Sequence, residues 1–234
     1  MAYTATRTRF AVAGALLAVA SSLWAPATGA APVVVQVGTE RIVIDTPPGY
    51  ADTAFIGSPR LTEFAESLLP EGNRILAFAL SDADIRRFST GDTPDLRRVL
   101  LLAVPRSLEH ERVGPQQFAA LAQELFGNLG EPAPQGVDPM KHLDQKAPGV
   151  AHLIAELRND PAMRAVLQGT RLPGRSWGDR TTYRLSAGAL IRLGNKAMSV
   201  TVLTAYDNPA DLEWIRGISL RWLDQLQRLN RQGQ

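Results

Sequence analysis

A long two-strand pattern near the C-terminus leaves this chain few folds to choose from. The stretch TTYRLSAGALIRLGNKAMSVTVLTAYD holds Gly194-Asn195 between two runs of β-forming residues, an arrangement typical of a tight hairpin. A turn at this pair sets Ile191 opposite Met198 and Tyr183 opposite Tyr206. One face of the hairpin is then apolar and the other mixed, and a shift of one residue would destroy that agreement.

A second hairpin is predicted at residues 33–44. The sequence VVVQVGTERIVI turns at Gly38-Thr39, which places Val35 opposite Ile42 and Val33 opposite Ile44. The runs 74–80 and 97–105 are apolar and bounded by charge or proline, so they are predicted to be buried strands.

Helix signals follow the strands. Ser58 is a candidate N-cap before Pro59, a helix is predicted from Pro115 to Phe126, and an amphipathic helix is predicted to close the chain after Asn208. The runs VAHLIAELR (150–158) and PAMRAVLQ (161–168) also have helical patterns. Residues 127–149, rich in Gly and Pro, are predicted to form a long loop with one helical turn, and a loop of this length is functional or mobile.

These elements predict an α+β fold. We expect residues 31–234 to form a single layered domain, with a mostly antiparallel sheet of about six strands and flanking helices.

Residues 1–30 have the pattern of a secretory signal peptide. Arg7 and Arg9 precede the apolar run FAVAGALLAVASSLW, and small residues follow it. Cleavage is expected within residues 27–31, and the apolar run is short for a membrane span, so no transmembrane helix is predicted in the mature chain. An uncleaved N-terminal anchor is the alternative. The predicted location is the bacterial periplasm or the exterior.

Composition excludes several chemistries. The chain has no Cys, so disulfides and thiolate catalysis are impossible. Residues 1–30 hold two of the 25 basic residues and no acidic one, which leaves 23 of each in the mature chain. This balance gives no support for nucleic-acid binding, and the absence of nucleotide-binding motifs leads us to predict no cofactor.

One motif suggests a hydrolase. Residues 174–178, GRSWG, match the G-x-S-x-G nucleophile elbow, but a strand pattern follows Ser176 where an elbow requires a helix. All three histidines, His110, His142 and His152, precede the serine. We therefore predict no catalytic residue, while an envelope hydrolase acting through carboxylates or Ser176 stays open as an alternative.

Metal binding is not predicted either. His142 and His152 are ten residues apart, which is outside the short spacings of common ligand pairs, although Asp138 and Asp144 lie nearby in sequence.

Four arginines form the best candidate binding segment. Arg171, Arg175, Arg180 and Arg184 lie within 14 residues with one acid, Asp179. Guanidinium groups at this density suit a phosphate, a carboxylate or an acidic protein surface. A solvated hairpin edge is the simpler interpretation.

The closing helix allows a third interpretation. Its apolar stripe could lie on a membrane surface, but acidic and amide side chains are mixed with its arginines, which favours docking on the domain's own sheet. Burial of Trp214 and Trp222 would exclude the membrane alternative.

The order of the elements resembles that of the PsbP/Mog1-like proteins. The stretch GNKAMSVTVLTAYDNPADLEWIRGISLRWLDQL also resembles the C-terminal part of exported proteobacterial proteins without an assigned activity, through its G-N-K turn, Tyr206 and the Asp211–Trp214 helix start. The resemblance carries no catalytic motif and implies a binding or assembly factor.

The sequence as a whole therefore favours a periplasmic, non-enzymatic binding or accessory protein. Its partner is predicted to be a protein or an anionic envelope ligand. The segment 171–184 and the 127–149 loop are its predicted interaction surfaces.

Overall fold

A computed structural model describes residues 31–134, 136–173 and 181–231 and contains two antiparallel sheets. The larger has seven strands in the order β3-β4-β5-β9-β8-β7-β6, and the smaller pairs β1 with β2. The strands are β1 (Val33–Val37), β2 (Glu40–Ile44), β3 (Tyr50–Asp52), β4 (Asn73–Ser81), β5 (Arg98–Pro105), β6 (Ala151–Asp160), β7 (Met163–Leu172), β8 (Thr182–Leu193) and β9 (Lys196–Tyr206).

Five α-helices flank these strands, so the α+β fold class is confirmed. Their ranges are α1 (Pro59–Ser67), α2 (Asp82–Ser89), α3 (Pro115–Phe126), α4 (Pro139–Asp144) and α5 (Pro209–Arg231). A 3-10 turn, Thr53–Ile56, links β3 to α1.

Both hairpin registers are confirmed. In the β8–β9 pair, Ile191 faces Met198 and Tyr183 faces Tyr206. In the β1–β2 pair, Val35 faces Ile42, and the turn residue Gly38 has φ of 55°. Turn chemistry and apolar alternation fixed these registers because a one-residue slip would expose the buried face.

The helical prediction for 150–158 and 161–168 is wrong. These residues form β6 and β7, joined by a turn at Pro161 and Ala162. Two bulges interrupt the β6–β7 ladder, between Leu153 and Ala155 and between Glu156 and Arg158. Each bulge breaks the period of two that marks a strand. In β7, buried residues lie on both faces, which weakens the alternation. These strands and the short β3 raise the count above the expected six.

The first face of the large sheet is covered by α5, α4 and the β1–β2 hairpin. Leu100, Val202 and Leu167 pack there against Ile215 and Trp222 of α5. Trp222 is fully buried and Trp214 is partly buried against the same core. The membrane-surface interpretation of α5 is therefore wrong, because the helix uses its apolar stripe on the sheet.

Two α5 side chains connect the small hairpin to the helix. The Asn230 side chain pairs with the β2 backbone like a strand residue: its Oδ1 accepts from Val43 N at 2.9 Å, and its Nδ2 donates to Val43 O at 2.8 Å. Trp222 Nε1 donates to Asp45 O at 2.9 Å. Asn230 of α5 thus pairs with one position of the free edge of β2.

The second face of the sheet is covered by the remaining helices. Leu61 and Ala65 of α1 pack on Phe78 and Leu101, with α2 beside them. Phe118 and its neighbours in α3 form a separate cluster over β7 and β8. None of the helices in the described part of the chain combines the length and apolar content that a membrane crossing requires.

Candidate functional site

The two described arginines of the 171–184 segment lie on opposite faces of the sheet. Arg171 pairs with Tyr183 and Thr170 pairs with Arg184, and neighbouring residues of a strand point to opposite sides. Arg171 Nη2 donates to Lys146 O at 2.8 Å and thereby holds the loop before β6, whereas Arg184 is exposed. Arg175, Arg180 and Ser176 lie outside the described residues.

The fold brings two histidines near each other. Burial lowers the pKa of His152, and the positive charges of Lys146 and His142 lower it further. Within the described ranges, no group of three or more His, Asp or Glu residues could hold a metal ion. His142 and His152 thus lie near each other between α4 and β6 without forming a metal site in the described ranges.

The long loop, the second predicted surface, is held to the sheet by a backbone hydrogen bond and by the packing of α4. Ala133 N donates to Leu153 O of the edge strand β6 at 3.2 Å. Asp138 caps α4 by accepting from Met140 N at 2.9 Å, which confirms the expected helical turn. Leu143 of α4 packs against Gly169 of β7, where a Cβ would lie 2.7 Å from the Leu143 Cδ1 atom.

This loop and α5 enclose a cleft of about 730 Å³ beside β6. Residues 132–134 and 136–139 form one wall, which we call the proline segment. The other walls come from β6, the end of β9 and the first two turns of α5. We name the space the proline cleft; its lining residues outside the proline segment are Ile154, Ala155, Glu156, Tyr206, Pro209, Leu212 and Arg216.

The walls of the proline cleft are mainly apolar. Pro132, Pro134, Pro139 and Pro209 contribute rings, and Leu212 adds an aliphatic side chain. A cleft of a few hundred cubic ångströms with apolar walls and a few polar groups is the usual form of a small-molecule site.

Tyr206 and Asp138 form a fixed polar pair at the floor of the cleft. The Tyr206 hydroxyl donates to Asp138 Oδ1 at 3.2 Å. Burial raises the pKa of Tyr206 to about 12, and the Asp138 charge and hydrogen bond act in the same direction. The phenol is therefore protonated at every physiological pH and keeps Asp138 partnered.

Arg216 is the unpaired charge of the proline cleft. Its Nε is buried without a hydrogen-bond partner, and no carboxylate of the described residues lies within 4.0 Å of its guanidinium. By contrast, Glu156 has a partner in Arg164, at 3.6 Å. The Nε atoms of Arg164, Arg171 and Arg192 are buried without a partner as well, but those guanidinium groups make other hydrogen bonds. Arg216 makes neither a hydrogen bond nor an ion pair with the described residues, so its charge in the cleft has no counter-ion there.

The N-terminus of α5, which supplies Leu212 and Arg216, is held by Asp211. Its Oδ2 accepts from Asp207 N at 3.1 Å and its Oδ1 accepts from Arg98 Nη2 at 3.1 Å. The Arg98 guanidinium lies 4.3 Å from the ring centroid of Trp214, a cation–π geometry. This cluster fixes the position of the helix beside the cleft.

The Asp211 cluster makes stability depend on acid pH. Burial acts to raise the pKa of Asp211, but the backbone donors and Arg98 outweigh it, so the pKa lies below the ordinary value. A lowered folded-state pKa stabilises the fold above the unfolded-state pKa of about 4, and this contribution is lost as pH falls through the folded-state pKa. Asp211→Asn should lower the free energy of unfolding by about 1.5 kcal/mol at neutral pH.

Urea unfolding across the acid range measures this effect. The gap between Asp211→Asn and the wild type should narrow as pH falls below about 4. Glu213→Gln, an exposed change in the same helix, should follow the wild type throughout. A gap that is independent of pH would show that the Asp211 charge does not matter.

Sequence reasoning found the loop of the proline cleft but not its cation. Arg216 belongs to α5, whose pattern indicated only an apolar stripe. The available signal was its position four residues after Leu212 and next to Ile215, which sets a charge on the border of that stripe.

Comparison with known proteins adds little to this geometry. No protein-family model matches the chain, and no curated protein matches its sequence. Two solved structures are similar to it, a point mutant of the protein Mog1 and the Ran-binding protein Mog1p of Saccharomyces cerevisiae. Each is 13% identical to this chain and superposes with a TM-score of 0.37. Each match covers 86% of this chain, and it covers 94% of the Mog1 mutant and 93% of Mog1p. A superposition this loose carries no argument, so the PsbP/Mog1-like assignment and the exported proteobacterial resemblance stay predictions.

Proposed function

We propose that this chain is a non-enzymatic binding protein. It binds a largely apolar ligand in the proline cleft and does not convert it chemically. The observation that carries the proposal is a preformed apolar cleft of about 730 Å³ that contains one unpaired cation, Arg216. Arg216 makes no ion pair with the described residues, and a few polar groups in an apolar cleft usually orient its ligand.

The proposed place of action is the bacterial periplasm or the exterior. The proposal rests on residues 1–30, whose charged, apolar and small-residue regions follow the order of a signal peptide. These residues lie outside the described part of the chain.

The envelope-hydrolase alternative stays a prediction. Its serine version depends on Ser176, which lies outside the described residues. For the carboxylate version, Asp138 and Glu156 both line the cleft. Asp138, however, already accepts hydrogen bonds from Tyr206 and Met140, which favours a structural role.

The 171–184 segment stays a second proposed surface for an acidic protein or another anionic partner. Arg184 is exposed on the second face of the sheet and can take part. Arg171 has a structural partner in Lys146 O, so we expect its neutralisation to loosen the loop before β6.

Blocking the cleft should abolish the binding of a neutral apolar dye. Val137 lines the cleft and is 42% exposed, so Val137→Trp should fill the space without disturbing the core. We expect Nile red to bind the wild type at one site, and the variant to bind at least about ten-fold more weakly, because an indole displaces the dye's apolar contact area. Fluorescence titration measures both.

The matched control is Leu125→Trp, since Leu125 is an apolar residue of α3 that is 52% exposed and does not line the cleft. This variant should bind the dye like the wild type. Equal binding by both tryptophan variants, or no saturable binding at all, would rule out the proline cleft as the site.

A further inference from the structure

We infer that the ligand of the proline cleft is a small amphiphilic monocarboxylate, with its carboxylate on Arg216 and its apolar chain along the proline segment. This inference rests on the proposed function and adds the chemical class of the ligand. It is drawn from the charge inventory of the cleft and from the backbone chemistry of its walls.

The charge inventory favours a monoanion. Three charged residues line the cleft: Asp138, Glu156 and Arg216. Glu156 has an ion-pair partner in Arg164, whereas the Tyr206 phenol that donates to Asp138 is neutral and does not compensate a carboxylate. Arg216 is the one cation in the described lining, and it can pair with a single ligand charge. A cationic ligand would meet an unpaired guanidinium, and a dianion would meet two carboxylates with only one cation to compensate it.

The donor geometry favours a carboxylate. A guanidinium presents its N–H donors in a planar fork that matches the two oxygens of a carboxylate. The Nε of Arg216 is closed off from the cleft, so the two Nη groups are the donors that a ligand in the cleft can reach. Two Nη groups can donate to the two oxygens of one carboxylate.

The chemistry of the proline segment favours an apolar chain over a peptide. Four of the lining residues are prolines, and proline has no backbone N–H to offer a peptide carbonyl. The one ladder-like contact of the proline segment, from Ala133 N, is already made to Leu153 O. The described wall therefore offers contact area and few hydrogen bonds.

Competition between ten-carbon amphiphiles tests the inference on the full mature chain. Decanoate, decanol, decylamine and decyl phosphate would each displace Nile red from the wild type at neutral pH, below their micelle-forming concentrations. Decanoate should bind at least about ten-fold more tightly than decanol, because a charge-assisted hydrogen bond is added to the same chain. Decylamine and decyl phosphate should bind more weakly than decanoate.

Three arginine variants assign the effect to one side chain. Arg216→Gln should reduce decanoate affinity to the level of decanol and leave decanol unchanged. The decanoate affinity of Arg216→Lys should lie between those of the wild type and Arg216→Gln, since lysine keeps the charge but lacks the planar fork of donors. Arg221→Gln, an exposed change in the same helix, should match the wild type. The melting temperature of Arg216→Gln should be no lower than that of the wild type, since Arg216 makes no described ion pair.

Each outcome decides a different point. Equal affinities for decanoate and decanol, tighter binding of decylamine or decyl phosphate, or an unaffected Arg216→Gln variant would overturn the carboxylate inference, and Nile red binding would still support the cleft. If Val137→Trp abolishes dye binding but none of the four amphiphiles displaces the dye from the wild type, the carboxylate inference is also overturned. Failure of the dye itself would remove the proposed function.

Discussion

Replacing Trp222 with alanine should lower the free energy of unfolding by about 4 kcal/mol, the cost of removing a large aromatic side chain from a packed core. Trp222 is fully buried on the face of α5 that meets the sheet. The indole also donates its Nε1 hydrogen to Asp45 O at 2.9 Å. The substitution therefore opens a cavity and releases the N-terminal hairpin from the helix.

The conservative variant Trp222→Phe separates these two effects. It keeps most of the apolar volume but leaves Asp45 O without its donor, so a loss of about 1–2 kcal/mol is expected. Urea denaturation followed by circular dichroism measures both variants. A loss below about 1 kcal/mol for Trp222→Ala would contradict the docking of α5 on the sheet.

Lys196 should give the second large effect. Its side chain is fully buried at the start of β9, and Nζ donates to Glu109 O at 2.8 Å and to Glu111 O at 2.7 Å. Gly38 of the N-terminal hairpin lies against the same atom, since a Cβ there would be 2.8 Å from Nζ. Lys196 thus joins three separate segments of chain.

Lys196→Met should destabilise the fold by about 3 kcal/mol, because two carbonyl groups lose their donor. Apolar replacement of a buried ionic group is sometimes neutral, but here the backbone acceptors stay in place. Lys141→Met, the same change at an exposed site, should cost less than about 0.5 kcal/mol. Thermal unfolding of both variants measures the difference, and an equally stable Lys196→Met variant would contradict the structural role of this lysine.

Local sequence patterns predicted the structure correctly where one local interaction determined it. The Gly194-Asn195 turn and the one-sided apolar alternation fixed the β8–β9 register residue by residue. The N-cap and Pro59 located the start of α1, and α3 has its predicted range from Pro115 to Phe126.

The same patterns failed where tertiary contacts overrode them. Residues 151–172 contain many helix-forming side chains, yet they complete the sheet. The bulges of β6 and the two-sided burial of β7 weakened the alternation that identifies strands. Without β7, the opposite placement of Arg171 and Arg184 could not be seen, because it follows from the β7–β8 pairing.

One wall of the proline cleft could be predicted from local sequence, and its arginine could not. The long loop at 127–149 stood out by composition alone, since few compact domains carry a loop of that length without use for it. Arg216 lines the same cleft as this loop because of the way α5 crosses the sheet, and no local sequence pattern predicts that crossing. The arginine of the cleft therefore belongs to a helix whose pattern was explained by packing alone.

The most direct test of the proposed function is the Nε–Hε resonance of Arg216 in a ¹H–¹⁵N spectrum during titration with decanoate. A carboxylate on the guanidinium should shift this signal and slow the exchange of the side-chain protons with water, together with shifts at the amides of Ala133, Ile154 and Leu212. An Arg216 signal that stays unchanged while decanoate saturates the protein would contradict the proline cleft as the ligand site.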